Sequence, residues 1–290
     1  MMKARKERYY DWYRAFLQMM MSRGVMTGQD VYKGVKNICE TYKGARDFPS
    51  SLDTNSAAEI AEMIELFLEE TNKALEKIQL QIIKTHEEVK TNPDNRSYTQ
   101  YYVLTPTVES KQIATLQKNY SEPELEWLKL VAEHLVDRED KLAGQNDLVN
   151  LCINGGNNST KKKLNVTEAD KALNMFQEEG YLLKVKGKGR AFRYGLGPRF
   201  LVEMDGWMKT TFEDDVWCCA KCGKIGMMGK KDLNIFIDNQ TFKYFLGTQC
   251  TKRGCEARYH LYCVDTGNKD PKCLKCKTPL KIEGVATKRQ

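Results

Sequence analysis

Eight of the ten cysteines of this 290-residue chain lie beyond residue 217, and seven of them fall with one histidine into four pairs: Cys219-x2-Cys222, Cys250-x4-Cys255, His260-x2-Cys263 and Cys273-x2-Cys276. The gaps between successive pairs are 27, four and nine residues. Thiolates and an imidazole at this spacing are ligand chemistry. Zinc takes four tetrahedral nitrogen or sulfur donors, and two cysteines separated by two residues approach one ion from a single tight turn. Four pairs therefore imply two zinc ions. Each site is closed, which is the signature of a structural metal with no open position for a reactive water. Spacing alone is equally consistent with sequential pairing (first with second, third with fourth) and with interleaved pairing (first with third, second with fourth). Cys218, beside Cys219, is most simply a spare thiol, with a one-residue shift of the first knuckle left open. So polar a module has little core of its own, so metal is expected to supply most of its folding free energy, on the order of 10 kcal/mol per site. Residues 1 to about 210 are expected to keep a core independent of it.

The ligand order, four Cys, one His and three Cys, resembles the RING and PHD families, in both of which the pairs interleave. On that resemblance Cys219, Cys222, His260 and Cys263 make one site, and Cys250, Cys255, Cys273 and Cys276 the other. The distinction matters, because RING modules recruit ubiquitin-conjugating enzymes and PHD fingers read histone tails. PHD fingers carry a tryptophan two residues before the seventh ligand, after a longer gap. Here Pro271 stands in that place, so the module leans towards RING.

The elements ahead of the module must position it. Composition (41% hydrophobic, 29% charged) suits a folded chain of two or three domains. No stretch reaches the roughly 18 to 20 apolar residues of a membrane span, and Met1 to Arg14 lacks the apolar segment of a signal peptide. The expectation is a soluble intracellular protein with reduced thiols and no membrane partner. Tyr13, Phe16, Leu17 and Met20 share one helical face before Gly24. Val31, Val35, Ile38 and Tyr42 make a second face, and Ile60, Ile64 and Phe67 a third. Ile78, Leu80 and Ile82, then Tyr101 and Val103, alternate as a hairpin. The order then repeats: a helix opened by the capping box of Ser121 and Glu124, a short helix from Leu148 to Ile153, a helix capped by Thr167, and a hairpin of Tyr181, Leu183 and Val185 against Phe192, Tyr194 and Leu196. Three helices and a two-stranded wing, twice over, is the winged-helix plan. A closing helix with Leu201, Met204 and Met208 on one face and an acidic linker at Glu213, Asp214 and Asp215 lead into the cysteines. The fold class expected is α+β: winged-helix domains at 5–106 and 118–210, a two-zinc variant RING at 216–280 and a basic tail at 281–290.

Charge adds a second function to weigh. The chain has 46 Lys and Arg against 39 Asp and Glu, a net +7. Between Lys161 and Arg193 nine basic residues face four acidic ones. Lys171 and Asn174 stand beside Glu178 and Glu179 on the third helix of the second repeat, an arrangement that disfavours base readout. Any DNA contact is expected through phosphates, by Lys161, Lys162, Lys163, Lys184, Lys186, Lys188 and Arg190. A solvated charged face is the competing reading. His86 and His134 have no neighbouring ligand set, and Cys39 and Cys152 read as buried thiols.

Two winged helices followed by a variant RING resemble the non-SMC element 1 family, a subunit of the SMC five-six chromosome-maintenance complex. The run Phe16-Leu17-Gln18-Met19-Met20-Met21-Ser22-Arg23-Gly24-Val25-Met26 is similar to that family's first helix, and Cys255-x4-His260-x2-Cys263 with Cys273-x2-Cys276 to its RING core. The insertion after Cys222 is longer than the family's, and Cys250-x4-Cys255 is wider than its usual x2. The resemblance implies a nuclear, chromatin-associated RING-type ubiquitin transferase subunit that pairs with a MAGE-family subunit and acts in DNA damage repair by homologous recombination. The zinc module would then hold a ubiquitin-conjugating enzyme, with no catalytic nucleophile on this chain. Productive RINGs present an aliphatic residue before the second ligand and a proline between the last two cysteines; Lys221 and the pair Leu274-Lys275 stand there instead. Lys277, after the last ligand, occupies the place of the cation that contacts enzyme and ubiquitin, with an ordinary exposed lysine as the competing reading. The expected activity is therefore weak without a partner. The other classes are a DNA-binding or purely structural subunit and a PHD-like histone reader.

Overall fold

Helix α1 (Asp11–Arg23) buries Trp12, Tyr13, Phe16 and Met20 on one stripe and stops at Gly24, whose positive φ of 70° lets its N–H return to the Met20 carbonyl. The structure is a computed structural model that describes residues 9–49, 51–88, 99–107, 120–154, 163–186, 191–227, 235–237, 240–242, 247–264 and 271–280. The chain divides into two compact units, residues 1–85 with 99–118, and residues 86–98 with 119–290.

In the first unit, strand β1 (Val25–Thr27) follows directly on α1. Thr27 then caps helix α2 (Gly28–Tyr42): its Oγ1 accepts from the Asp30 N–H at 3.1 Å and donates to the Asp30 carboxylate at 2.8 Å. Ser56 caps α3 (Ala57–Leu75) in the same way through the Glu59 N–H. Strands β2 (Leu80–His86) and β3 (Gln100–Pro106) complete an antiparallel sheet of order β1-β3-β2, with Val25 opposite Val103. The Asn72 side chain joins helix to sheet, accepting from the Ile82 N–H at 2.7 Å and donating to the Ile82 carbonyl at 3.0 Å. Phe16, Met20, Val31, Val35, Ile60 and Phe67, all fully buried, form the core. Ile78, expected in the hairpin, lies in a 3-10 turn ahead of it and is exposed.

The second unit repeats the plan. Helix α4 (Glu122–Asp137) opens on the Ser121 and Glu124 capping box, with the Ser121 N–H donating to Glu124 at 2.6 Å. A two-residue strand β4 (Ala143–Gly144) precedes α5 (Gln145–Val149) and α6 (Leu151–Asn154), which together occupy the place of the expected short helix. Helix α7 (Val166–Glu178) is capped by Asn165 and not by Thr167. The Asn165 side-chain oxygen Oδ1 accepts from the Glu168 N–H, and the Glu168 carboxylate accepts from the Asn165 N–H, both at 2.9 Å. This reciprocal box satisfies two orphan donors, and Thr167 lies inside the first turn. Strands β5 (Leu182–Lys186) and β6 (Phe192–Leu196) pair in register Leu182 to Leu196 and Lys186 to Phe192, in a sheet of order β4-β6-β5. Both sheets therefore set the short strand beside the third, not the second.

The closing helix is two, α8 (Pro198–Glu203) and α9 (Asp205–Thr211), separated at Met204. The segment expected as an acidic linker is a tight turn in which the Asp215 and Val216 N–H groups both donate to the Phe212 carbonyl at 3.0 Å. Strands β7 (Val216–Cys218) and β8 (Ile225–Met227) follow at once, and Val216, Ile225 and Met227 are buried in one cluster with Val131, Leu135, Phe176 and Leu196. The core of the second repeat thus runs on into the first cysteine hairpin. That buried cluster continues past residue 210, the end assigned to the expected metal-independent core. No helix among the described residues is long and apolar enough to cross a membrane.

Candidate metal centre

The first knuckle is the turn between β7 and β8. The Cys219 N–H donates to the Lys224 carbonyl at 2.9 Å and the Gly223 N–H to Cys219 at 2.8 Å, which folds Cys219 and Cys222 onto one side. The long insertion after Cys222 contains strands β9 (Ile235–Ile237) and β10 (Gln240–Phe242), paired antiparallel. Strands β11 (Gly247–Gln249) and β12 (Arg258–His260) then bring the middle pairs together. Cys250 follows β11, with its N–H on Ala257 at 2.9 Å. His260 ends β12, and Cys263 ends the 3-10 turn Leu261–Cys263. In the last knuckle the Lys277 N–H reaches the Cys273 carbonyl and the Cys273 N–H the Thr278 carbonyl, both at 2.8 Å. An Ala220 N–H bond to the Arg258 carbonyl, 2.8 Å, ties the first hairpin to β12.

These turns gather two sets of four. Cys219, Cys222, His260 and Cys263 form one and Cys250, Cys255, Cys273 and Cys276 the other, with the ligand atoms of each within 4.8 Å of one another. The grouping is first pair with third, second with fourth. Cys218 is exposed and belongs to neither. A tetrahedral ion with sulfur at about 2.3 Å and nitrogen at about 2.0 Å sets sulfur atoms about 3.8 Å apart and nitrogen about 3.5 Å from sulfur. The Cys255–Cys273 and Cys250–Cys276 sulfur separations are 3.8 and 3.4 Å, and His260 Nδ1 lies 3.4 Å from Cys222 Sγ and 3.7 Å from Cys263 Sγ. The donor sets therefore fit a four-coordinate metal ion each, closed by protein atoms.

The surroundings act unequally on the sulfurs, raising the Cys263 thiol through the neighbouring sulfurs of Cys219 and Cys222 and lowering those of Cys273 and Cys276. The hydroxyl and the N–H of Thr278 lower the Cys276 thiol to about 6. Half-buried Lys224 brings a cation beside Cys222 and Cys263; burial lowers its ammonium and the thiols oppose that. Tyr259, buried between strand and knuckle, places its hydroxyl 3.2 Å from Cys273 Sγ and accepts the Leu274 N–H at 2.9 Å. The Trp217 ring lies 4.9 Å from that of His260. It needs bare backbone beneath it, since a Cβ on Gly226 or Gly247 would stand 2.5 or 2.6 Å from the indole.

Two residues that spacing did not single out belong here. Glu88, almost fully buried, accepts from the Tyr262 hydroxyl at 3.0 Å and lies 3.3 Å from His260 Nε2. Burial raises its carboxyl to about 7, opposed by His260 and the Tyr262 hydroxyl. His86, expected to serve in packing and not as a ligand, stacks on Tyr262 at 4.2 Å, and Tyr262 stacks on His260 at 4.7 Å. His86 to Glu88 belong to the second unit, with the metal ligands. Glu88 sits in no motif, and its 174-residue separation from Tyr262 leaves no local signal.

The remaining candidates are spread out. Lys163, Lys184 and Lys186 are exposed, and Lys184 Nζ lies 4.4 Å over the half-exposed Phe192 ring. Lys161, Lys162, Lys188, Arg190 and the basic tail lie outside the described residues. Lys221, Leu274, Lys275 and Lys277 are all exposed around the knuckles. Cys39 and Cys152 are buried, as expected, and burial raises both thiols, Cys39 to about 11.

Comparison with known proteins bears on the whole arrangement. A family model described as the Nse1 non-SMC component of the SMC5-6 complex matches residues 13–204. The non-structural maintenance of chromosomes element 1 homolog of Homo sapiens is 25% identical over 269 residues, covering 92% of this chain and 82% of the human protein. The Bos taurus homolog is 24% identical over the same lengths. Among solved structures, a chain of an Nse1-Nse3-Nse4 complex superposes with a TM-score of 0.61 at 21% identity, covering 96% of this chain and 99% of that one, a likeness of fold.

Proposed function

Because the chain belongs to the Nse1 family of non-SMC components of the SMC5-6 complex, we propose that it serves there as a RING-type ubiquitin transferase subunit. On this reading the two repeats are winged-helix domains that bind a MAGE-family partner, and the two four-residue sets each hold a structural zinc ion. The protein acts in the nucleus, in recombinational DNA repair. The observation that carries the proposal is the interleaving of two closed donor sets on knuckles whose outer residues Lys221, Leu274, Lys275 and Lys277 are exposed. Zinc would fix those knuckles as one rigid face, against which a conjugating enzyme docks. Leu274, half-exposed between the last two ligands, offers that face an apolar contact. Lys221 sets an ammonium where an apolar residue would pack, and burying it unpaired is unfavourable. The partner subunit is therefore required to complete the docking surface.

The test has two parts. Elemental analysis of the pure protein should return two zinc ions, and a content near zero or one refutes the two-site reading. Ubiquitin discharge from charged conjugating enzymes should be weak with the chain alone and rise with a MAGE-family partner. Absence of discharge in both cases would leave a structural subunit. Lys277→Ala should reduce the partner-stimulated rate if its ammonium contacts ubiquitin.

A second reading rests on the exposed lysines of β5. Lys184 and Lys186 are both exposed on one strand of the hairpin, a pattern suited to phosphates. DNA binding should be tolerant of sequence, fall steeply with salt and vanish when Lys184, Lys186 and Lys188 are all changed to Glu. Salt-insensitive binding would place the contact elsewhere.

A further inference from the structure

His260 is fully buried, and its two ring nitrogens face different chemistry. Nδ1 looks into the sulfur atoms of Cys222 and Cys263. Nε2 points the other way, 3.0 Å from the Ile225 carbonyl and 3.3 Å from Glu88 Oε1. A ligating imidazole holds its proton on the nitrogen away from the metal, and the acceptor of that proton sets both tautomer and ring angle. Here two acceptors are in reach. The Ile225 carbonyl is part of the same hairpin and present whatever the distant chain does. Glu88 arrives on the run His86–Glu88, and its Oε1 also receives the Tyr262 hydroxyl. The stack of His86, Tyr262 and His260 keeps the carboxylate in register with the imidazole edge. A carboxylate this buried needs hydrogen bonds; the Tyr262 hydroxyl supplies one, and the His260 Nε2 edge lies 3.3 Å away as its electrostatic partner.

We propose that Glu88 is the outer carboxylate of the first metal site, a positioning residue that orients His260 through its Nε2–H and so couples the stability of that site to a segment far upstream. The proposal rests on the two-zinc reading above. It assigns Glu88 to one site only, because Cys250, Cys255, Cys273 and Cys276 present no imidazole.

The full-length chain, its Glu88→Ala and Glu88→Gln variants and Tyr262→Phe can be titrated with a chromogenic zinc chelator. Loss of an outer-shell partner weakens metal binding by about 10- to 100-fold. Glu88→Ala should therefore weaken one of the two zinc ions by about 10-fold or more and leave the other unchanged. Glu88→Gln, whose amide oxygen still accepts the proton, should recover much of the loss, and Tyr262→Phe should have a smaller effect. In the cobalt(II)-substituted protein the visible bands of the three-sulfur, one-nitrogen site should shift in Glu88→Ala while those of the four-sulfur site stay put, a change that mere loosening of the fold would not confine to one ion. Equal weakening of both sites, or two unchanged affinities, overturns the role of Glu88. A wild-type protein that holds fewer than two zinc ions instead refutes the zinc reading beneath it.

Discussion

Arg199 joins two carboxylates and an aromatic face, with its guanidinium 2.8 Å from Glu203, 3.2 Å from Glu179 and 4.5 Å above the Tyr181 ring. The Tyr181 hydroxyl donates to Glu203 at 2.6 Å, and Tyr120 donates to Glu179. Burial raises the Glu179 carboxyl, and the guanidinium opposes that rise. Removing one partner of such a buried pair leaves the other charge without compensation, at a cost of about 3 kcal/mol. Arg199→Ala should lower stability by about that amount, read from the urea midpoint, and Arg199→Lys should recover only part because an ammonium cannot fork to both carboxylates. A change under about 1 kcal/mol would mean that water replaces the guanidinium. Only the Arg199–Glu203 pair, four residues apart on one helix, has a local signal in the sequence; Tyr120 and Glu179 are 59 residues apart. The metal ligands were legible for the opposite reason. Each pair is closed by its own turn, so the spacing within a pair is a local constraint written in adjacent residues. Which pair is grouped with which is settled by strands, and spacing left that open. Glu88 is the limiting case, a side chain whose neighbours are defined by tertiary structure alone.

At the scale of elements, helices longer than three turns were readable because burial imposes a 3.6-residue rhythm on them: Phe16 with Met20, Ile60 with Ile64, Leu128 with Val131 and Leu135. Strands β1 and β4 were not. Two or three residues next to a glycine carry no period, and only pairing with β3 and β6 makes them strands. The start of α7 shows a subtler competition. Asn165, Thr167 and Glu168 all lie within one turn, and either polar residue has a side-chain oxygen suited to a cap. Asn165 prevails because Glu168 stands three residues after it and returns a hydrogen bond to its backbone, whereas the third residue after Thr167 is Asp170, whose carboxylate accepts from Gln145 at 2.7 Å. Asn165→Ala should destabilise the second unit by about 1 kcal/mol. Thr167→Ala should stay within about 0.5 kcal/mol, as an exposed helix position does. Thermal unfolding of the two variants side by side checks the assignment, and the reverse order of effects would restore Thr167 as the cap.

For the whole molecule, the boundary that composition placed near the acidic run is crossed by a continuous core. Val216, Ile225 and Met227 lie in one buried cluster with Leu135, Phe176 and Leu196, while the knuckle between them carries Cys219 and Cys222. A sequence reading could not see this, because an acidic run and a short apolar strand look alike whether the strand packs on its own module or on the domain before it. The two candidate metal sites are consequently unequal. The first closes the hairpin that fills the core of the second repeat. The second set lies in a small cluster with Ala257, Tyr259, Val264 and Leu280, to which Cys219 and the partly buried Cys263 of the first set also belong. Cys263→Ser, which removes a ligand from the first site, should therefore loosen β7 and β8 and carry the loss into α4 and α7. Cys276→Ser should loosen the last knuckle and leave α4 and α7 nearly as protected as before. The core around Phe16, Val35 and Phe67 shares no buried residue with either cluster and should be unaffected by both substitutions. Amide hydrogen exchange resolves these regions, because protection tracks the free energy of local opening. Equal loss of protection in α4 and α7 for the two variants would show that the metal module acts on its neighbour as one block. No loss in either would show that apolar packing of Val216, Ile225 and Met227 holds the hairpin without the ion.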